Sequence, residues 1–271
     1  MAKMIVGVYS KNISFTENKT TDLYITIDNE NLFFSVKNST NGQFIAFEHF
    51  KSVADEKGWE SLILITQHNS KLINLHFGNV FFVWNNSRFI LTKKVAKQTQ
   101  VYYQQELNLV HGANNTDEVY FNAINDDLII AYSVPDQLIN LLSKIFPNGV
   151  WHHYTEYVIN KKIDNNALIC LLDNQFCLKI TKNGATQLIN YFPLEGANQN
   201  IYQIINACNH ISLDTNNASI NFLGYDEDGH GFVKTIANYF KVGQVAESDE
   251  HWDNEDKGNC PNNIYTTYLI Y

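Results

Sequence analysis

Along residues 23–49 apolar and polar positions alternate with a period of two, and residues suited to turns interrupt the alternation twice. Leu23-Tyr-Ile-Thr-Ile27 ends at Asp28-Asn29, and Leu32-Phe-Phe-Ser-Val-Lys37 ends at Asn38-Ser-Thr-Asn-Gly42. Gln43-Phe-Ile-Ala-Phe-Glu-His49 follows. Period two sends successive side chains to opposite faces, so this stretch reads as three antiparallel strands in a meander. Ser52 caps a helix whose apolar positions are Val53, Trp59, Leu62, Ile63, Ile65 and Leu72. Asn79-Val-Phe-Phe-Val-Trp84 is apolar on both faces, which predicts a strand inside a sheet rather than at its edge. A further strand is expected over 88–92, a polar helix over 97–110 and a hairpin over 119–134 around Asn125-Asp126-Asp127. Pro135 then opens a helix over 136–146, a position where its missing N–H costs nothing.

The second half repeats the opening. Ala167-Leu-Ile-Cys-Leu-Leu172 ends at Asp173-Asn174, Phe176-Cys-Leu-Lys-Ile-Thr181 ends at Lys182-Asn-Gly184, and Thr186-Gln-Leu-Ile-Asn-Tyr-Phe192 completes a meander. Asp28-Asn29 matches Asp173-Asn174 and Lys37-Asn38 matches Lys182-Asn183, with the same shift of 145 residues (173 − 28 and 182 − 37). A helix over 199–211, a strand over 218–223, a helix over 231–241, an acidic mobile loop over 247–259 and a final strand over 264–271 are expected next. The chain thus reads as two copies of strand-strand-strand-helix-strand-helix. The first spans 1–150, with an inserted segment at about 88–134, and the second spans 151–271.

Composition narrows the function. The chain has 271 residues, 45% of them hydrophobic, too many for a wholly disordered protein. Acidic residues outnumber basic ones 28 to 19, and Arg88 is the sole arginine, so a phosphate-neutralising surface for nucleic acid is not expected. No run of 18 apolar residues occurs, and the apolar stretch after Met4 ends at Ser10, which argues against membrane insertion and a secretory signal. Cys170, Cys177, Cys208 and Cys260 are few and irregularly spaced. They read as reduced thiols, consistent with a cytoplasmic protein.

This order of elements resembles the actin-like ATPase superfamily, which includes actin, sugar kinases, chaperone ATPases and bacterial pilus-assembly actin homologues. More narrowly, Asn85-Asn-Ser-Arg-Phe-Ile-Leu-Thr92, Tyr132-Ser-Val-Pro135, and Phe146-Pro147 followed by His152-His153 resemble a family of uncharacterised bacterial proteins assigned this fold. The resemblance implies a duplicated α/β, ribonuclease H-like architecture, with two mixed-sheet halves around a cleft. It also implies a phosphate loop, Asp-x-Gly plus a small hydroxyl residue, in the first hairpin of each half. There glycine lets backbone N–H groups reach phosphate, and the aspartate orients a metal-bound water.

The matching stretches are Asp28-Asn29-Glu30-Asn31 and Asp173-Asn174-Gln175-Phe176, with Glu30 and Gln175 where glycine is required. A carboxylate about 4 Å from a phosphate charge costs roughly 4 kcal/mol at an effective dielectric near 20. The superfamily's paired-glycine adenosine loop corresponds to Gly224-Tyr225, with only the first glycine present. The resemblance therefore marks Asp28, Asp173 and Gly224 as remnants of a nucleotide site. It implies a non-catalytic interaction or scaffold protein with an unknown protein partner and no cofactor. The alternative is a divergent ATPase or small-molecule kinase that retains Mg-ATP in the cleft through Asp28 and Asp173.

Other candidates carry less. His152 and Glu156, read as i and i+4 on one helix, are two ligands of a metal site with no third. Cys208 and His210 do not share a helix face, and Asp226-Glu-Asp228-Gly229 lacks the later ligands of a calcium loop. Tyr265, Tyr268 and Tyr271 cannot all face one side of a strand, which leaves at least one for a partner protein.

Overall fold

The computed structural model describes residues 3–11, 18–52, 58–94, 99–114, 116–163, 166–214, 217–224, 231–245, 252–253 and 260–271. Val53, Tyr225, the 226–229 turn and most of the 247–259 stretch lie outside the described residues, although Trp252 and Asp253 within that stretch are buried. The chain divides into two compact units, Met1–Glu156 and Tyr157–Tyr271.

The first unit is built on β1 (Lys3–Tyr9), β2 (Asn18–Ile27), β3 (Asn31–Asn38), β4 (Phe44–Lys51), β5 (Phe77–Trp84) and β9 (Val150–His153), with α1 (Trp59–Asn69) between β4 and β5. The order is β1-β4-β3-β2-β5-β9. The meander pairs antiparallel, whereas β5 pairs parallel to β2 and β9 parallel to β5. Leu23, Ile25 and Ile27 are fully buried on one face of β2 and Thr26 on the other, as a central strand requires. β5 lies between β2 and β9, as its two apolar faces predict. Between β5 and β9 the chain builds β6 (Phe89–Lys93), α2 (Gln100–His111), β7 (Asp117–Ala123), β8 (Leu128–Pro135) and α3 (Asp136–Ile145). The three strands form a separate sheet, β6-β8-β7, with α2 packed on it around Tyr103, Leu107, Val119, Ile129 and Ala131.

The second unit takes the last turn of α4 (Tyr154–Asn160), then β10 (Ala167–Leu171), β11 (Gln175–Lys182), β12 (Ala185–Pro193), α5 (Ala197–His210), β13 (Ser219–Leu223), α6 (Gly231–Ile236) and β14 (Lys241–Val245). The sheet order is β12-β11-β10-β13-β14. Its pairings run antiparallel, antiparallel, parallel, parallel, the same sequence as β4-β3-β2-β5-β9. Asn183 and Gly184 both have positive φ (56° and 74°), which closes the β11–β12 hairpin with a two-residue turn suited to strand twist.

Several expectations are corrected. The helix after Ser52 is described only from Trp59, and Leu72 lies beyond its end, buried in a turn begun by Ser70, whose Oγ accepts from Leu72 N and Ile73 N. β1, β9 and β14 are strands that the pattern did not disclose. The final segment is not a strand but a 3-10 helix, Asn263–Tyr268, capped by Asn262 and braced by Thr266 Oγ1 donating to Asn263 O at 2.9 Å. Tyr268 is buried, and Tyr265 and Tyr271 are half-buried, with Tyr271 set edge-on against Tyr157. The shift between the hairpins is also one residue shorter. Ile27 pairs with Leu32 and Leu171 with Phe176, a displacement of 144 (171 − 27 = 176 − 32). Leu172, not Asp173, therefore occupies the place of Asp28. The identical Asp-Asn letters sit one step out of register.

Lys179 on β11 shows how a cation is used inside the second unit. It is 3% exposed, and its Nζ donates to the carbonyls of Val158, Ile159 and Lys161 at 3.2, 2.7 and 2.6 Å, closing the end of α4. Burial pushes its pKa from 10.5 down to about 8. A depressed folded value means that the unfolded chain binds the proton more tightly. Stability thus rises with pH from about 8 toward 10.5 and is lost as pH falls through about 8. Urea unfolding at a series of pH values should show a gain of about 1–2 kcal/mol across that window, screening included. Lys179→Met should remove the gain.

Candidate functional site

In open α/β sheets the loops beyond the carboxyl ends of parallel strands carry the ligand chemistry, so those ends are where a site is sought. In the first unit they are Asp28 after β2, Asn85 after β5 and His153 at the end of β9. They are linked by short bonds. Asn85 N donates to Ile27 O at 2.8 Å, His153 Nε2 to Asn86 O at 3.1 Å, and Trp59 Nε1 to Asp28 O at 3.3 Å. Trp59 meets Trp84 edge-on with ring centroids 6.1 Å apart.

The Asp28 turn satisfies itself. Asp28 Oδ1 accepts the backbone N–H groups of Glu30 and Asn31 at 2.8 and 2.7 Å, and the Asn31 amide donates to both carboxylate oxygens at 3.1 Å. Asn31 is buried, and its Oδ1 accepts from His49 Nε2 at 2.8 Å, while the His49 ring stacks on Phe33 at 4.3 Å. The N–H groups of a turn that would cradle an anion are here spent on the chain's own carboxylate. Asp28→Ala should destabilise the first unit by about 1–2 kcal/mol, the worth of a capping carboxylate, and Asp28→Asn by less, since an amide oxygen still accepts. Urea midpoints of the two variants test this ordering.

Asn85 differs. It is 1% exposed, and neither its amide nitrogen nor its amide oxygen has a hydrogen-bond partner among the described residues; the neighbouring Trp84 Nε1 has none either. Nothing in the pattern of residues 79–84 pointed to it.

In the second unit the corresponding ends carry Leu172-Asp173 and Gly224. Asp173 is exposed, and its charge adds to burial in pushing the Tyr265 phenol above its ordinary pKa. Gly224 has φ +78° and donates its N–H to Thr266 Oγ1 at 2.7 Å. A Cβ there would lie 2.6 Å from Leu171 O and 3.2 Å from Thr267 Cβ. Glycine is thus required by the helix that Thr266 and Thr267, both fully buried, wedge against the ends of β10 and β13.

The His152–Glu156 pair is real but differently built. His152 lies within β9 rather than on a helix with Glu156, and its Nδ1 reaches Glu156 Oε2 at 2.9 Å. Glu156 Oε1 accepts from His153 N at 2.7 Å and Asn122 Nδ2 at 2.8 Å. Burial would raise the Glu156 carboxyl, but the His152 ring and these donors outweigh it and hold the pKa below the ordinary value. Burial pushes His153 down to about 4, so the ring is neutral, with Thr155 N donating to Nδ1. Among the described residues no three His, Cys, Asp or Glu side chains come together as metal ligands. Arg88 and Glu48 are structural anchors that sequence reasoning did not identify. Glu48, on β4, is fully buried and accepts from Tyr9 Oη, Ser70 Oγ and Lys71 N.

Two solved structures are similar in fold. A Bacteroides thetaiotaomicron protein with actin-like ATPase fold and unknown function superposes with a TM-score of 0.73 at 15% identity, covering 89% of this chain and 95% of that one. A chain of the PilM-PilN type IV pilus biogenesis complex superposes with a TM-score of 0.51 at 8% identity, covering 92% and 96%. The fold is therefore that of the actin-like ATPases, mixed α/β with mixed sheets. No helix among the described residues is long and apolar enough to cross a membrane. No curated protein matches the chain in sequence. Residues 10–242 match the DUF3822 family of proteins of unknown function, and the chain belongs to that family.

Proposed function

We propose that this actin-like frame serves as a non-catalytic interaction protein of the bacterial cytoplasm, presenting surfaces to a protein partner rather than turning over nucleotide. The observation that carries this reading is the Asp28 turn, where the N–H groups of Glu30 and Asn31 are committed to a carboxylate. A triphosphate entering there would have to displace that carboxylate and meet Glu30 as well. The 3-10 helix supports the same reading. It takes the N–H of Gly224 and fills the space above it, so the residues present do not fit a nucleotide. The PilM-PilN assembly supplies an instance of this fold inside a protein complex, an analogy at the level of fold.

Affinity purification of the tagged chain from its native host tests this. Recovery of one stoichiometric partner, undiminished by Asp28→Ala plus Asp173→Ala, supports the proposal. Partner recovery that requires nucleotide, or fails in that double variant while the variant stays folded, overturns it.

One observation favours the second reading, a divergent ATPase or kinase with Mg-ATP bound. Asn85 offers a buried donor and acceptor at a position where ligands bind in such sheets. Asn85→Leu distinguishes the two. If the amide has only its burial cost, the variant gains about 1–2 kcal/mol in thermal unfolding; if it serves a nucleotide, stabilisation by Mg-ATP is lost.

A further inference from the structure

The first unit holds a pocket away from the loops at the carboxyl ends of its parallel strands, lined in part by residues that follow the Ser70 turn. β5 starts at Phe77, but β9 pairs with it only from Phe81, opposite Val150, to Trp84, opposite His153. Among the described residues, the Phe77–Val80 backbone therefore has no strand on that side. Beside this open edge lies a pocket of about 700 Å³, walled by the start of β5, residues 73–76, and the segment from Lys144 to Val150. That volume lies within the range of small-molecule sites.

Its lining mixes apolar side chains with the amides of Gln67, Asn74, Asn79 and Asn148. Ile73 and Phe146 are buried beneath it, Phe77 and Phe81 are half-buried, and Val150 stands 52% exposed. Gly149 lets the loop lie flat on Phe82, since a Cβ there would sit 2.2 Å from that ring. Among the described residues no Asp or Glu lines the pocket, and its ionisable side chains are Lys144 and His76, both exposed. Asp22, opposite Asn79 on β2, accepts from Asn79 Nδ2 at 2.8 Å. A lysine beside apolar side chains, with no carboxylate among the described lining residues, favours negative charge. Backbone N–H groups along the β5 edge, which has no strand beside it among the described residues, are further donors for the same group.

We propose that this pocket binds a small amphipathic carboxylate, with its apolar body against Phe81 and Val150 and its carboxylate directed to Lys144 and the open edge of β5. The assignment is independent of whether the carboxyl ends of the strands bind anything.

Phenylacetate is the probe, with phenylacetamide as its uncharged counterpart, titrated into the full-length ¹⁵N-labelled chain and followed by NMR. The expected result is saturable shifts confined to the amides of Gly78, Asn79, Gly149 and Val150. Phenylacetamide and the Lys144→Gln variant should each bind about fivefold more weakly, the effect of removing one partly screened ion pair. Val150→Asp should abolish binding while the amide spectrum of β2 and β3 stays unchanged. Equal binding of acid and amide, shifts scattered over the surface, or no saturation by about 10 mM, a range that covers affinities typical of fragments, would overturn the proposal.

Discussion

Gly224→Ala is expected to destabilise the second unit by about 3–4 kcal/mol, the sum of left-handed strain and a backbone clash. The strain follows from φ +78°, which an alanine adopts at a cost of about 1 kcal/mol. The clash follows from the 2.6 Å between the added Cβ and Leu171 O, a main-chain atom fixed in β10 that cannot swing aside as a flexible side chain would. Thr267 Cβ at 3.2 Å closes the other direction. Relief requires the 3-10 helix to back away, which would also break the bond from Gly224 N to Thr266 Oγ1. Gly184→Ala is the internal control. Its φ is +74°, but nothing lies within 4 Å of its Cβ, so it should show the strain alone, about 1 kcal/mol. Urea unfolding of both variants reads the difference. Equal costs would mean that Gly224 is not held by packing.

Arg88→Ala should cost about 3 kcal/mol, measured by chemical denaturation, with the loss centred on the β6-β8-β7 sheet and α2. The guanidinium uses its whole fork. Nε donates to Ser133 Oγ at 3.1 Å, Nη1 to His111 O at 3.1 Å, and Nη2 to Gly112 O at 2.8 Å and Asn108 Oδ1 at 3.0 Å. It thus holds the carbonyl end of α2, where positive charge is favoured, against β8. Each bond to a charged donor contributes roughly 1.5 kcal/mol or more, discounted here because the side chain is only half-buried. Arg88→Lys should recover less than half of the loss, because one ammonium cannot span four acceptors in a fixed plane. Full recovery by lysine would show that charge alone matters.

What the residues disclosed in advance depended on how strongly each element's own pattern constrains it. The meanders and β5 were legible because alternating or continuous apolar runs bounded by Asn, Asp and Gly admit few other structures. β9 was hidden because four residues, two of them histidines, make too short a pattern. Its existence depends on pairing with Phe81–Trp84. The last segment misled because Tyr, Thr and Ile favour strands, whereas the Asn262 cap and the packing of Thr266 and Thr267 on β10 and β13 fix a 3-10 helix. Asp28 was found by motif, and the acceptor role of its carboxylate is common for Asp in turns. That Asn31 and His49 would complete the network was not legible, since it requires the register of the β3–β4 pair, which sets His49 opposite Phe33. Arg88 entered the sequence reading through the charge count and the 85–92 resemblance, whereas its anchoring role depends on acceptors on α2 and β8, 20 to 45 residues away in the chain.

Calorimetric titration of the intact chain with Mg-ATP bears most directly on whether the frame has given up its phosphate sites. Neither heat of binding nor a shift in melting temperature beyond about 1 °C is expected at millimolar nucleotide, since a ligand well above its Kd would add a few kcal/mol. Saturable one-to-one binding, abolished by Asp28→Ala or Asp173→Ala in a variant that remains folded, would contradict it.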